Sequence, residues 1–235
     1  MNNMATVLNL GTRLETIVSY CSRTRTIADI GCDHGQVTAE LILQAKAYNV
    51  IATDISSASI NKAVRLCSQL NILPFVSFRE GDGFQPITKY DSIDCAVIAG
   101  MGGSEIIKIL QESKIRVNEL VLQPMTDAVK LRGYLLQINF KIVKDVTVKE
   151  GDKYYNIIKA KTGKMKITEL ELYFGVTNLE ELSTEFIESI RVERAKIFKI
   201  KELVGELNKD YKAQIKRIDK VLKLYYEKQK SEGRK

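Results

Sequence analysis

Between residues 24 and 125 the chain repeats one pattern. A short apolar run ends in a turn bearing glycine or aspartate, and apolar positions three and four apart follow. The apolar runs are "TIADIG" (26–31), "NVIATDIS" (49–56), "PFVSFREGDGF" (74–84), "SIDCAVIAGMGG" (92–103) and "ELVLQPM" (119–125). Short, nearly continuous apolar runs bounded by turn residues read as strands buried on both faces. The stretches between them, 36–47, 57–70, 104–113 and 126–138, carry helical spacing, as does 12–21 with Leu14, Ile17, Val18 and Cys21 on one face. Strands alternating with helices of this length predict an α/β fold, a mostly parallel sheet covered by helices.

The pattern then changes twice. "FKIVKDVTVKEGDKYYNIIKAK" (140–161) predicts two strands joined by a tight turn at 150–152, hence an antiparallel hairpin on the sheet edge. After "KTGKMK" (161–166) strand character stops, and from about Leu182 the chain reads as helix. Ile197, Ile200, Val204, Leu207, Tyr211, Ile218, Val221 and Tyr225 follow alternating three- and four-residue steps, with Gln214 as the exception. That is a coiled-coil-like stripe. Gly205 and Asn208 offer a chain reversal in its middle. Two antiparallel helices can then cover one stripe within one chain, so a monomer is expected. The expected organisation is a sheet domain over 1–163 and a helical domain over 164–235.

Charge sharpens this division. Residues 1–150 carry 16 Lys and Arg against 15 Asp and Glu, 151–190 carry 5 against 7, and 191–235 carry 15 against 7. The positive charge therefore belongs to the C-terminal helices, where it suits a polyanion, most commonly nucleic acid, unless it is only a solvated face. No apolar run reaches 18 residues, and Asn9, Gly11, Thr12 and Arg13 interrupt the N-terminal apolar residues, so neither a membrane span nor a signal peptide is expected. Cys21, Cys32, Cys67 and Cys95 are scattered and read as reduced thiols of a cytoplasmic protein. Cys32-x-His34 lacks partners at metal-ligand spacing, and no metal is expected.

The unusual residues gather at strand ends, where open parallel sheets bind ligands. They are 31–35 after the first strand, Asp54 after the second, Asp82 and Gly83 after the third, and 99–103 after the fourth. Asp54 follows Gly31 by 23 residues, a spacing that lets a carboxylate accept both hydroxyls of an adenosine ribose. NAD and S-adenosylmethionine both meet that condition. The loop itself reads Gly31-Cys32-Asp33-His34-Gly35, and a central carboxylate would repel a pyrophosphate. It suits S-adenosylmethionine, which carries an amino group and a sulfonium and no phosphate. Asp82 would meet the adenine amine, or is merely a turn residue between glycines. The cofactor set is Asp29, Gly31, Cys32, Asp33, Asp54, Ile55, Asp82, Gly83, Ala99, Gly100 and Met101.

"ADIGCDHG", "IATDIS", "GDG", "IAGMGG" and "LQP", in this order and ahead of a basic helical tail, resemble the bacterial tRNA (adenine-22-N1)-methyltransferase family over nearly the whole chain. The resemblance implies a class I methyltransferase fold, S-adenosylmethionine as cofactor and an adenine of the tRNA D arm as target. The chain departs from the family at Cys32, often serine, and at Met125, often asparagine, so a side-chain contact from Met125 to the target base is not carried over.

N1 of neutral adenine already has a lone pair, so no proton must leave before it attacks. The base becomes cationic as it is methylated, which makes Asp33 the candidate stabiliser, with His34 orienting Asp33 or hydrogen-bonding the base. The alternative is that Asp33 only holds the cofactor amine and His34 only packs the loop. Gly102 and Gly103 would let the flat base approach closely. Tyr154 and Tyr155 could stack on it, although a strand tyrosine is expected in the core. Lys209, Lys212, Lys216, Arg217, Lys220 and Lys223 lie off the apolar stripe and would meet phosphates. A methyltransferase acting on another RNA or a protein, or a non-catalytic RNA-binding protein, are the alternative functions.

Overall fold

The computed structural model describes residues 8–232, and the first part of the N-terminal segment read for a leader lies outside them. Seven strands form one sheet in the order β3-β2-β1-β4-β5-β7-β6. They are β1 (Thr24–Ile30), β2 (Ala47–Asp54), β3 (Val76–Glu80), β4 (Cys95–Met101), β5 (Glu119–Pro124), β6 (Phe140–Glu150) and β7 (Lys153–Thr162). The first five run parallel, while β7 pairs antiparallel with both β5 and β6, which is the expected edge hairpin.

Helices α1 (Thr12–Tyr20), α2 (Gln36–Leu43), α3 (Ser57–Gln69), α4 (Gly103–Glu112) and α5 (Ala128–Gln137) cover the sheet. Two apolar clusters lie on its faces. One centres on Ile30, Ile98, Leu122 and Leu135, the other on Ile17, Val50, Val97 and Val121. Strand order reverses at β1, which has β2 on one side and β4 on the other. That switch point opens the crevice in which such sheets bind ligands.

The helix expected over 36–47 is shorter than its periodicity suggested. It stops at Leu43, Ala45 turns in the left-handed region at φ 52°, and Ala47 already begins β2. The helical part also starts before Leu182. Helices α6 (Glu169–Phe174) and α7 (Val176–Glu181) precede α8 (Thr184–Val204) and α9 (Lys209–Glu232). Six residues are too few to establish a period, but Thr168 and Glu171 form a reciprocal capping box that marks the start of α6.

The stripe of the tail is buried as a shared core. Ile197, Leu207, Ile218 and Val221 pack with Phe174, Leu182 and Phe186, so α6 and α7 complete a surface that was expected to lie between two long helices alone. Val204 is an exception. It is 63% exposed, because α8 ends there and Gly205 turns the chain. The short helices also bond into the sheet. The Thr177 hydroxyl accepts from the Asp145 backbone N–H at 3.0 Å, and the Asn178 side-chain oxygen from the Thr147 N–H at 2.8 Å.

Candidate active site

At the switch point lies a cavity of about 390 Å³. Its lining includes Asp29, Gly31, Cys32, Asp33, His34, Asp54, Ile55, Asp82, Gly83, Ala99, Gly100 and Met101, so the strand-end set and its flanking residues converge in one place. Gly102 and Gly103 lie just beyond, where Gly103 begins α4.

The loop after β1 is tied to the end of β2. Gly31 and Cys32 both donate their backbone N–H to the Thr53 carbonyl, at 2.8 and 2.9 Å. Asp33 then adopts φ 46°, and its N–H donates to Oδ2 of Asp54 at 3.0 Å, while Oδ1 of Asp54 accepts from the Ser56 N–H at 2.9 Å. Both carboxylate oxygens are thereby fixed in direction. Gly31 has φ 72°, a left-handed conformation that favours glycine, while a Cβ there would meet only the movable end of the Met101 side chain.

Asp29 is buried beneath the loop and accepts a 2.5 Å hydrogen bond from the Thr38 hydroxyl. Loss of water raises its carboxyl to about 6, despite the opposing bonds from Thr38. Burial also pushes the Cys32 thiol far above its ordinary range, with the neighbouring carboxylates adding to the effect. Cys32 is therefore a packed thiol.

Asp33 and His34 stand at the mouth of the cavity. Their side chains are 74% and 54% exposed, with His34 Nε2 3.5 Å from Asp33 Oδ1 and 3.1 Å from Lys62 Nζ. Ile55 is 71% exposed at the rim. Among the described residues no group of three or more His, Cys, Asp and Glu has a metal-binding arrangement.

Arg13 lines this cavity too, yet nothing in its local sequence marks it. Its Nη1 donates to Oε1 of the buried Gln123 at 2.8 Å, and its guanidinium lies 5.4 Å from the Tyr155 ring centroid. Gln123 belongs to the LQP stretch of the family resemblance, but nothing in the sequence joins it, or Glu150, to Arg13. These residues are 110 and 137 positions from Arg13, and only the sheet brings them together. Tyr154 and Tyr155 are half-buried rather than core residues. They line a groove of about 980 Å³ between the hairpin and helices α6, α8 and α9, with exposed Met125 at its sheet end.

The six α9 residues expected to meet phosphates divide. Lys209, Lys216 and Lys220 are exposed and form no ion pair among the described residues. Lys212 pairs with Glu206 at 2.6 Å and Lys223 with Glu227 at 3.8 Å. Arg217 is committed to the protein. It binds Glu169 at 2.7 Å and stacks over Tyr173 at 3.8 Å, closing one side of the groove.

An open parallel sheet with an antiparallel edge hairpin, and an acidic cavity at its switch point, define the class I methyltransferases. The chain belongs to that class, and residues 10–158 match the family described as "Methyltransferase domain". More particularly, it is similar to the tRNA (adenine(22)-N(1))-methyltransferase of Bacillus subtilis, at 33% identity over 159 residues that span 66% of either chain, just under two thirds. The solved structure of the B. subtilis m1A22 tRNA methyltransferase TrmK superposes over 94% of this chain and 98% of its own, with a TM-score of 0.76 and 27% identity. A Streptococcus pneumoniae structure in complex with S-adenosyl-L-methionine covers 91% of this chain and 98% of its own, with a TM-score of 0.82 and 25% identity.

Proposed function

We propose that this protein transfers the methyl group of S-adenosylmethionine to N1 of adenine 22 in the D arm of tRNA. One observation carries the cofactor reading. Five carboxylates, Asp29, Asp33, Asp54, Asp82 and Glu105, line the cavity against a single arginine, Arg13. Such a lining suits a ligand bearing an ammonium and a sulfonium against one carboxylate, and disfavours a dinucleotide pyrophosphate. The tRNA reading follows from the similarity to the m1A22 enzymes and from the positive charge of the helical tail.

The residues fit this cofactor. Asp29, buried and held near neutrality, gains most from an ammonium partner. Asp54 offers oriented oxygens to a ribose, and Ile55 an apolar cover. Asp82, also in the lining, would accept a hydrogen bond from the adenine amine. Bound S-adenosylmethionine supplies an electrophilic methyl group and a neutral thioether leaving group.

The chain itself supplies position and field. Gly100 has φ 78° and open space where a side chain would stand, so a flat base can rest against its backbone. The adenine has to leave its helical stack to reach that spot. N1 attacks with its own lone pair, so the protein need not abstract a proton first. Positioning in a site shielded from water lowers the barrier. Asp33, at the mouth, stabilises the cationic methylated base, while His34, whose Nε2 accepts from the Lys62 ammonium, packs beside it. Lys209, Lys216 and Lys220 hold phosphates, and the chain acts as a monomer. The test is mass spectrometry of nucleosides from tRNA incubated with protein and S-adenosylmethionine. 1-Methyladenosine at position 22 is expected, and its absence with folded, cofactor-binding protein would refute the proposal.

A further inference from the structure

The pairing of β4 with β5 slips at Gly100. Ala99 faces Gln123 and Met101 faces Pro124, so Gly100 is an extra residue without a ladder partner. A bulge of this kind re-aims the chain beside a site, but it leaves a backbone N–H that needs an acceptor. Here the acceptor is a side chain. Gly100 N–H donates to Oε1 of Gln123 at 3.2 Å, and Gln123 is fully buried.

A glutamine amide could equally turn its NH₂ toward Gly100, which would set donor against donor. Arg13 removes that choice. Its guanidinium only donates, and it reaches the same Oε1 at 2.8 Å, so the oxygen must face both groups. The amide nitrogen is turned away to the Met125 sulfur, 3.4 Å distant. Arg13 is in turn held from the hairpin. Glu150 Oε2 accepts its backbone N–H at 3.0 Å, Glu150 Oε1 lies 3.7 Å from its Nε, and Tyr155 supports the flat face of the guanidinium.

We infer that Arg13 is a positioning residue for methyl transfer: by fixing the orientation of the Gln123 amide it holds the Gly100 bulge in the conformation on which the target base rests. This rests on the proposed function. It goes further by assigning a role in the reaction to the N-terminal helix and the edge hairpin, neither of which supplies a strand end to the cavity. The geometry is specific to a fork-shaped donor. Lysine can reach Gln123 but cannot also stack on Tyr155 and bond Glu150 in the same way.

The test combines two readouts on Arg13→Met, Arg13→Lys, Gln123→Leu and the Arg13→Met/Gln123→Leu double variant. Hydrogen exchange of the Gly100 amide, followed by NMR, reports the link without reference to activity. Single-turnover methylation of tRNA at saturating S-adenosylmethionine reports the role. Arg13→Met is expected to speed Gly100 exchange and to slow turnover at saturating cofactor at least tenfold, whatever its effect on cofactor affinity. Arg13→Lys should lose less. The double variant should be no slower than the worse single variant, since both act through one bond.

Unchanged Gly100 exchange in Arg13→Met would overturn the inference whatever the activity. So would turnover at saturating cofactor within threefold of wild type. If a single variant fails to fold, the comparison of Arg13→Lys with wild type decides by the same two measurements. A wild-type protein that binds cofactor yet methylates no tRNA would sink the proposed function instead, and the exchange readout would then decide the Arg13–Gly100 link alone.

Discussion

Asp33 and Asp54, 21 residues apart, are joined by one hydrogen bond, from the backbone N–H of the first to the carboxylate of the second at 3.0 Å. The same carboxylate proposed to hold the ribose therefore also sets the course of the loop that presents Asp33. Asp54→Ala should weaken S-adenosylmethionine binding by at least tenfold, since each hydrogen bond to a charged group contributes about 1.5–3 kcal/mol. The fold should persist, because the loop retains the Gly31 and Cys32 bonds to Thr53. Calorimetry on the folded variant checks this, and unchanged affinity would remove Asp54 from the site.

Asp33→Asn preserves the backbone bond, and asparagine tolerates the left-handed conformation found there. Only the charge is lost. tRNA affinity should stay close to wild type, while single-turnover methylation at saturating cofactor falls about tenfold or more. A rate within threefold of wild type would reduce Asp33 to a loop residue.

Asp29 should impose a pH dependence. Its carboxyl is raised to about 6 by burial, from an ordinary 3.8, so the folded protein binds that proton more tightly than the unfolded chain does. Burying the charge is therefore a cost, fully present above pH 6 and relieved as pH falls from 6 toward 4. The span corresponds to a cost on the order of 3 kcal/mol in the ligand-free protein. Asp29→Asn should stabilise the ligand-free protein at pH 8 more than at pH 5, and should weaken cofactor binding. Denaturant titrations of both proteins at the two pH values measure the difference. The same stability gain at both values would contradict the assignment.

Arg132 and Asp145 form a buried ion pair at 2.6 Å, with side chains 1% and 0% exposed. Arg132 Nη1 also donates to the Leu172 and Tyr173 carbonyls of α6. Removing one partner of a buried pair costs about 3–5 kcal/mol. Asp145→Ala should therefore be severely destabilising in thermal denaturation. Truncation should follow the same logic. A chain ending near Lys164 strips these carbonyls and Thr177 away and should unfold or aggregate, whereas a chain ending after Leu182 keeps α6 and α7 and should still bind S-adenosylmethionine. Equal behaviour of the two truncations would show that the short helices are dispensable to the sheet.

Lys209, Lys216 and Lys220, which form no ion pair among the described residues, should govern the salt dependence of tRNA binding. Replacing Lys209, Lys216 and Lys220 with alanine should weaken binding and lower the slope of log affinity against log salt by up to about 0.9 per lost phosphate contact. Arg217→Ala should instead lower stability, because its guanidinium is already bound to Glu169 and Tyr173. An unchanged slope in the triple variant would place the RNA elsewhere, with the groove beside Met125 the next surface to test.

Most of this architecture is local information. The alternating strands and helices are legible because continuous apolar runs and apolar spacing of three to four report burial directly. Gly31, Asp33, Asp54, Asp82 and Gly100 are legible because strand ends in a parallel sheet meet at one edge, so their sequence positions imply their proximity. The ends of elements are less so. The 36–47 helix runs short because Ala45 turns the chain, and α6 and α7 escape notice because six residues show no period.

What folding alone decides is pairing between distant positions. Nothing near Arg13 announces Gln123 or Glu150, nothing near Arg132 announces Asp145 and α6, and Arg217 reads as a free cation until Glu169, 48 residues earlier, reaches it. Periodicity encodes which face of an element is buried. It does not encode which polar group meets which, because a hydrogen bond or an ion pair depends on two side chains whose separation along the chain is unrelated to their distance in space.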